Sequence, residues 1–271
     1  MKKKIIIFIF IFGLILVSLI IPNEFYMGLF KEKTPDKVYV DSCYVYLLNE
    51  EEKLVGVNVP LENKKENEFI TTWSLLTTDV PNNYTSPIYF STQVISNEVA
   101  DGVMNLNLSA DFNTEVTRKS LECLAYNFCK EEVSKIQLQV EGTVINEVEG
   151  VHFDYLTKDI GVNVVYEYLD ILNSTDITVI YEYKDYQMPV TYYVDETIDV
   201  ITFLVEKSIN LLDEVGNIDY SEDITFELSD TELNINVADF ENFNTEVLNT
   251  LKSSISGYYD LETITINGLA L

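Results

Sequence analysis

A five-residue word occurs twice in this chain. Phe112-Asn113-Thr114-Glu115-Val116 returns unchanged as Phe243-Asn244-Thr245-Glu246-Val247. Similar runs precede the two copies: Leu106-Asn107-Leu108 with Ala110-Asp111-Phe112, and Leu233-Asn234-Ile235 with Ala238-Asp239-Phe240. A helix-like stretch and a short strand running into Gly follow each, Val140-Glu141-Gly142 and Ile266-Asn267-Gly268. A word that recurs inside the same order of elements reads as one module duplicated, and that constrains the fold more than composition does. No nucleophile or metal motif travels with it, so duplication points to a scaffold or binding role before catalysis.

The length of 271 residues leaves room for an anchor and two domains of about 110–120 residues, each able to bury a core without staples. Lys2-Lys3-Lys4 precede an uncharged apolar run, Ile5 to Ile21, stopped by Pro22. As a helix that run spans about 26 Å, close to the hydrocarbon thickness of a bilayer. No small-x-small cleavage site follows, and the first cysteine is distant, at Cys43. The expected division is therefore a signal anchor at 1–22, a juxtamembrane linker at 23–37, and domains at 38–150 and 151–271. The lysines place the N-terminus in the cytoplasm and the rest of the chain outside, on a single-pass cell-membrane protein.

In the first domain, Val38 to Leu47 and Leu54 to Val59 read as a hairpin across Asn49 to Lys53. Phe69, Trp73 and Leu76 form a helical stripe closed by Pro81-Asn82-Asn83. Gln93 to Glu98 and Val103 to Leu108 flank Asp101-Gly102, a strong hairpin turn. Asn113 or Thr114 is expected to cap a second helix striped by Leu121, Leu124, Ala125 and Phe128, and Ile136, Leu138 and Val140 alternate as the last strand.

The second domain repeats the order. Val162 to Tyr168 and Ile177 to Tyr183 read as strands around Asn173-Ser174-Thr175, with Tyr192 and Tyr193 extending that region. A helix is striped by Ile201, Leu204, Val205, Ser208 and Leu211. A hairpin, Ile224 to Leu228 and Leu233 to Val237, turns at Ser229-Asp230. Asn244-Thr245 caps a helix striped by Leu248, Leu251, Ile255 and Tyr258, and Ile264 and Ile266 close the sheet. The predicted fold is α+β: two tandem β-β-α-β-β-α-β domains, each a helix pair on a mostly antiparallel sheet, after the transmembrane helix. Copy two inserts Glu241-Asn242-Phe243 before Asn244-Thr245-Glu246, near an element end where insertions are tolerated.

The run from Asp101 to Phe112 resembles the signature of the GerMN domain, the sporulation and germination family found in tandem in envelope proteins. It supplies a short turn, an alternating strand, Ser109, and the acid Asp111 leading into a helix. Ser120 to Gly142 is similar to that family's closing helix and strand. Copy two matches less well, with Val237 where the serine would stand, and the resemblance covers about 38–268. It implies a non-enzymatic role in the spore envelope, with domains similar to the ring-building modules of secretion-like channels. The family's best-known member looks lipid-anchored, whereas this chain has the Ile5–Ile21 segment.

The net charge is −28 although Lys2, Lys3 and Lys4 are basic. An acidic surface repels nucleic acid and opposes self-association, so a protein partner should present a basic face. Asp111 and Asp239 occupy equivalent places. Each reads as an acid at a helix start, favoured by the macrodipole, or as half of a duplicated cation or partner site. The repeat positions Asp111, Phe112, Asn113, Asp239, Phe240 and Asn244 are accordingly candidates for an interface. His152, the only histidine, lacks a paired nucleophile or second His and reads as a junction residue rather than a general base. Cys43, Cys123 and Cys129 have neither zinc spacing nor a feasible helical bridge. Asp219 to Asp223 and Asp111 are two features that could build a calcium site, but neither fits the EF-hand pattern. No catalytic residue, cofactor or metal site is expected. The alternative function is a surface module binding a wall polymer or small ligand, which requires an aromatic-lined cavity in one copy or between them.

Overall fold

The computed structural model describes residues 42–60, 68–130, 132–168, 170–183, 186–210, 224–237, 245–259 and 261–271. Ile5–Ile21, the linker, Asp219–Asp223, Asp239, Phe240 and Asn244 lie outside these residues. Among the described residues no helix is long and apolar enough to cross a membrane.

The chain opens with the hairpin β1 (Ser42–Leu48) and β2 (Leu54–Pro60). Its turn is held by Asn49, whose Oδ1 accepts the N–H groups of Glu51 and Lys53 at 3.0 and 2.9 Å. Helix α1 (Glu68–Thr77) follows, then the hairpin β3 (Val94–Ala100) and β4 (Val103–Leu108). A 3-10 turn (Ala110–Thr114) leads to α2 (Arg118–Phe128) and β5 (Lys135–Val140). Four two-residue strands come next: β6 (Thr143–Val144), β7 (Glu147–Val148), β8 (Val151–His152) and β9 (Val165–Tyr166). The order then recurs as β10 (Ser174–Glu182), β11 (Tyr186–Asp195), α3 (Val200–Asn210), β12 (Ile224–Leu228), β13 (Glu232–Val237), α4 (Thr245–Ser256), β14 (Thr263–Ile266) and β15 (Leu269–Ala270). The mixed α+β class and the duplicated order thus follow the sequence reading.

The sheets are arranged differently from one helix pair on one sheet. The opening hairpin of each repeat leaves its own repeat and joins a common sheet of order β1-β2-β11-β10. The remaining strands make a sheet in each repeat, β3-β4-β5-β6 and β12-β13-β14-β15. Pairing is mostly antiparallel, but β4 with β5 and β13 with β14 run parallel, because a helix carries the chain back across each sheet. Helix α2 touches β1 and β2 on one side and β5 on the other. Every residue from Ser120 to Phe128 is therefore buried, not only the stripe of Leu121, Leu124, Ala125 and Phe128. Two cores result, one around Leu47, Leu76, Leu106, Leu124 and Leu138 and one around Val179, Leu204, Ile235, Leu251 and Ile266.

Three local expectations are corrected. The glycines that seemed to end the last strands instead sit in turns: Glu141-Gly142 (φ 50° and 78°) and Asn267-Gly268 (φ 47° and 79°) reverse the chain into β6 and β15. Two consecutive positive φ values are what a two-residue hairpin needs, and Gly takes the second without strain. Second, Val162 to Tyr168 is not a full strand. Val162 bonds to Thr191 of β11, but Asn163 turns left-handed at φ 47° and the strand resumes only for Val165–Tyr166. The long hairpin is instead β10 with β11, so Ser174 and Thr175 begin a strand rather than a turn. Third, α2 starts after Thr117, whose N–H donates to Ser120 Oγ at 3.1 Å. Asn113 and Thr114 belong to the 3-10 turn before it.

Candidate functional site

The two repeats meet where β2 and β11 pair antiparallel, Val57 opposite Tyr186 and Gly56 opposite Gln187. Each repeat gives its second strand to this seam, so the common sheet is two-fold in order, as an isologous dimer's would be. Gly56 matters here for space. A Cβ on it would lie 2.9 Å from Tyr46 Cε1. Without one, the Tyr46 ring lies across β2 and its hydroxyl reaches Gln187 Oε1 on β11 at 3.3 Å.

Two positions on, Pro189 has no N–H to offer and strand pairing stops. The carboxamide of Asn163 takes over. Its Nδ2 donates to Leu54 O and Pro189 O, both at 2.8 Å, and its Oδ1 accepts Leu54 N–H at 2.8 Å. Asn163 is 2% exposed, so each of these bonds satisfies a backbone group that water does not reach. Lys119 Nζ also donates to Asn163 Oδ1 at 3.1 Å.

Beside it lies Glu122, likewise 2% exposed. A buried carboxylate persists only when paired and hydrogen-bonded. Arg118 Nε and Lys119 Nζ supply this at 3.1 and 2.8 Å, and Asn163 N–H adds a longer bond at 3.4 Å. The guanidinium of Arg118, the only arginine, also donates to Ile160 O at 2.6 Å. The α2 N-terminus receives a carboxylate from an unexpected source: Glu149, in the β7–β8 turn, accepts Arg118 N–H at 2.9 Å. Arg118 therefore ties the second helix of repeat one to the connector between repeats.

Against this ion pair opens a cavity of about 370 Å³. Arg118, His152, Phe153, Tyr155, Asp159 and Tyr193 line it, drawn from α2, the connector and β11. Tyr193 stacks on Tyr166, ring centroids 5.1 Å apart and planes 16° apart. Burial raises the Tyr193 hydroxyl's pKa, and the neighbouring Arg118 partly offsets that rise. Lys135 Nζ lies 4.3 Å from the Tyr155 ring centroid. His152 is exposed, with Nδ1 3.4 Å from a Glu147 carboxylate oxygen. A smaller cavity of about 170 Å³ lies in repeat one, among Phe69, Met104 and Phe128.

The duplicated word is split by this fold. Phe112 is a core residue of repeat one, 2% exposed, and offers no surface to a partner. Asp111 and Asn113 are exposed in the 3-10 turn. Asp111 lies seven residues before α2, so it does not sit at that helix's N-terminus. In repeat two the word's Thr245 and Glu246 are already helical. Backbone pairing fixes the equivalence: Glu141 N–H donates to Leu108 O and Asn267 N–H to Ile235 O. Glu141 Oε1 accepts Ala110 N–H, and Asn267 Oδ1 accepts Val237 N–H. Val237 therefore corresponds to Ala110, and Asn236 stands at the place of Ser109. Among the described residues no group of three His, Cys, Asp or Glu side chains could hold a metal ion. The three cysteines are free.

The fold has a solved counterpart. The tandem GerMN domains of the sporulation protein GerM from Bacillus subtilis superpose with a TM-score of 0.71, covering 84% of this chain and 92% of that one at 18% identity. The chain has the tandem GerMN fold. The first GerMN domain of the same protein, taken singly, covers 44% of this chain and 98% of its own length, with 16% identity and a TM-score of 0.39. No protein-family profile matches the sequence, and no curated protein matches it. The GerMN likeness expected from Asp101 to Phe112 therefore stands on architecture. The junction of Arg118, Glu122 and Asn163 was not expected. Its sequence signal was the solitary arginine, in a chain whose other side-chain cations, His152 apart, are lysines.

Proposed function

We propose that this chain is a non-enzymatic, membrane-anchored protein of the cell envelope whose two GerMN-like repeats act outside the membrane as one rigid adaptor for other envelope proteins. The observation that carries the reading is the common sheet: the repeats are sewn together through β2, β11 and Asn163, which suits a spacer presenting surfaces at fixed separation. Its fold is that of a protein described as a sporulation protein, which favours the same setting here. The Ile5–Ile21 run is the proposed anchor, with the N-terminus in the cytoplasm.

Partner pairing would use the peripheral sheets. β1 and β10 are covered along their outer edges by α2 and α4, whereas β3 exposes Ile95 and Val99, and β12 and β15 expose Leu228 and Leu269. With a net charge of −28, a partner with a basic face fits better than a second copy. Photo-crosslinkers placed at Ile95, Asp111 and Leu228 of the full-length chain in cells test this. The reading expects adducts with basic envelope proteins at one or more positions, weakened by added salt. Adducts only with lipid or with the chain itself would contradict it.

A second reading, a surface module for a wall polymer or small ligand, is favoured by one observation: the aromatic-lined cavity at the junction of the repeats.

A further inference from the structure

We infer that the junction cavity is a saccharide site, taking a neutral pyranose unit between Tyr155 and Tyr193. This rests on the second reading above and goes further by naming the ligand class. At about 370 Å³ the cavity falls in the range of small-ligand pockets. Its charge decides between ligands. The lining holds one guanidinium, one carboxylate (Asp159) and one imidazole, and the guanidinium shares Glu122 with Lys119, at 3.1 and 2.8 Å. Two cations and two carboxylates thus balance around the cavity: a phosphate or polyanion would face Asp159, and a cationic side chain would meet Arg118, with Lys135 over the neighbouring Tyr155 ring.

What remains is a surface of flat rings and directional polar groups. Phe153, Tyr155 and Tyr193 supply ring faces, and the stack on Tyr166 holds Tyr193 in place. Thr157 Oγ1 donates to Asp159 Oδ2 at 3.1 Å, which fixes that carboxylate as an acceptor on the wall. His152 Nδ1 faces Glu147, which turns Nε2 toward other partners. An uncharged ring with apolar C–H faces and equatorial hydroxyls satisfies rings and polar groups together. A metal is not called for by these residues, since a single carboxylate lines the cavity.

Isothermal titration of the purified full-length chain with cellotetraose, chitotetraose and tetragalacturonate tests the assignment. At least one neutral tetramer should bind, with tetragalacturonate at least tenfold weaker. Tyr155→Ala should weaken binding about fivefold to tenfold, the size of one lost ring contact. His152→Ala, at a side chain 75% exposed, should weaken it about threefold with an unchanged melting temperature. The inference is overturned if neither neutral tetramer binds, if the anionic tetramer binds as tightly, or if both variants bind like the parent at equal stability. Binding of tetragalacturonate alone would overturn the neutral-sugar assignment and leave the surface-module reading standing, whereas no binding by any of the three would overturn both.

Discussion

Asn163 bridges the seam by itself, because three backbone groups from two strands depend on its carboxamide. Asn163→Ala would leave Leu54 N–H, Leu54 O and Pro189 O buried without partners. At about 1 kcal/mol or more for each, the loss should be on the order of 3 kcal/mol, read as a lower midpoint in urea. Asn163→Asp keeps the acceptor but sets a carboxylate against two carbonyls and Glu122, and should do no better. The thiols give a pH dependence. Burial pushes Cys123 up to about 12 and Cys129 up to about 11. In the unfolded chain a thiol ionises near pH 8.5. Folded thiols therefore stay neutral while unfolded ones lose protons, so stability is intact below about pH 8.5 and falls as pH climbs toward 11–12. Cys123→Ala with Cys129→Ala should flatten the decline between about pH 8.5 and 10, before buried tyrosines dominate. An unchanged slope would show that the thiols are not held neutral.

At the scale of elements, the helices do two jobs. Their apolar stripes fill the cores, as periodicity foretold for Leu76, Leu124, Leu204 and Leu251. Their polar positions close the common sheet. Asn127 of α2 takes Tyr46 N–H at 2.9 Å and donates to Tyr46 O at 3.0 Å. Thr250 and Ser254 of α4, with Tyr258 after it, accept the outward N–H groups of Glu182, Ile180 and Thr178 along β10. Spacing by four residues on the helix matches spacing by two on the strand, since about 6 Å separates both sets. Thr250→Val with Ser254→Ala should unpair two edge N–H groups, cost about 2 kcal/mol or more, and raise aggregation seen by light scattering. An unaltered midpoint would count against edge protection. Strand and helix order was legible because apolar residues alternate or recur at helical spacing. Helix capping was misread because one word serves two settings: a Thr117–Ser120 cap lies beyond it in repeat one, whereas Thr245 starts the helix in repeat two.

For the whole molecule, the sequence announced duplication but not how the copies join. A repeated word says that two modules share a plan. It carries no information on whether an opening hairpin stays in its own module. That choice rests on Gly56 admitting Tyr46, on Pro189 ending the seam and on Asn163 bridging it, and each is an ordinary residue until the strands are side by side. The junction cavity was illegible for the same reason. Arg118, Tyr155 and Tyr193 lie far apart in the chain and converge only because β2 meets β11. A shared sheet, with Arg118 and Glu122 of α2 bonded to Ile160 and Asn163 of the connector, is expected to make the repeats one cooperative unit, the property the proposed adaptor needs.

Trp73, the only tryptophan, lies in repeat one against Phe69 and Phe128 and reports on that repeat alone. Leu251, fully buried in repeat two, is remote from it, and Leu251→Ala should cost about 2–5 kcal/mol. Urea unfolding of the variant, followed by Trp73 fluorescence and far-ultraviolet circular dichroism together, measures whether that loss is felt across the seam. The account predicts one transition in both signals, with the Trp73 midpoint lowered as far as the dichroism midpoint. A Trp73 midpoint that stays where the parent's lies, while the dichroism divides into two steps, would contradict it.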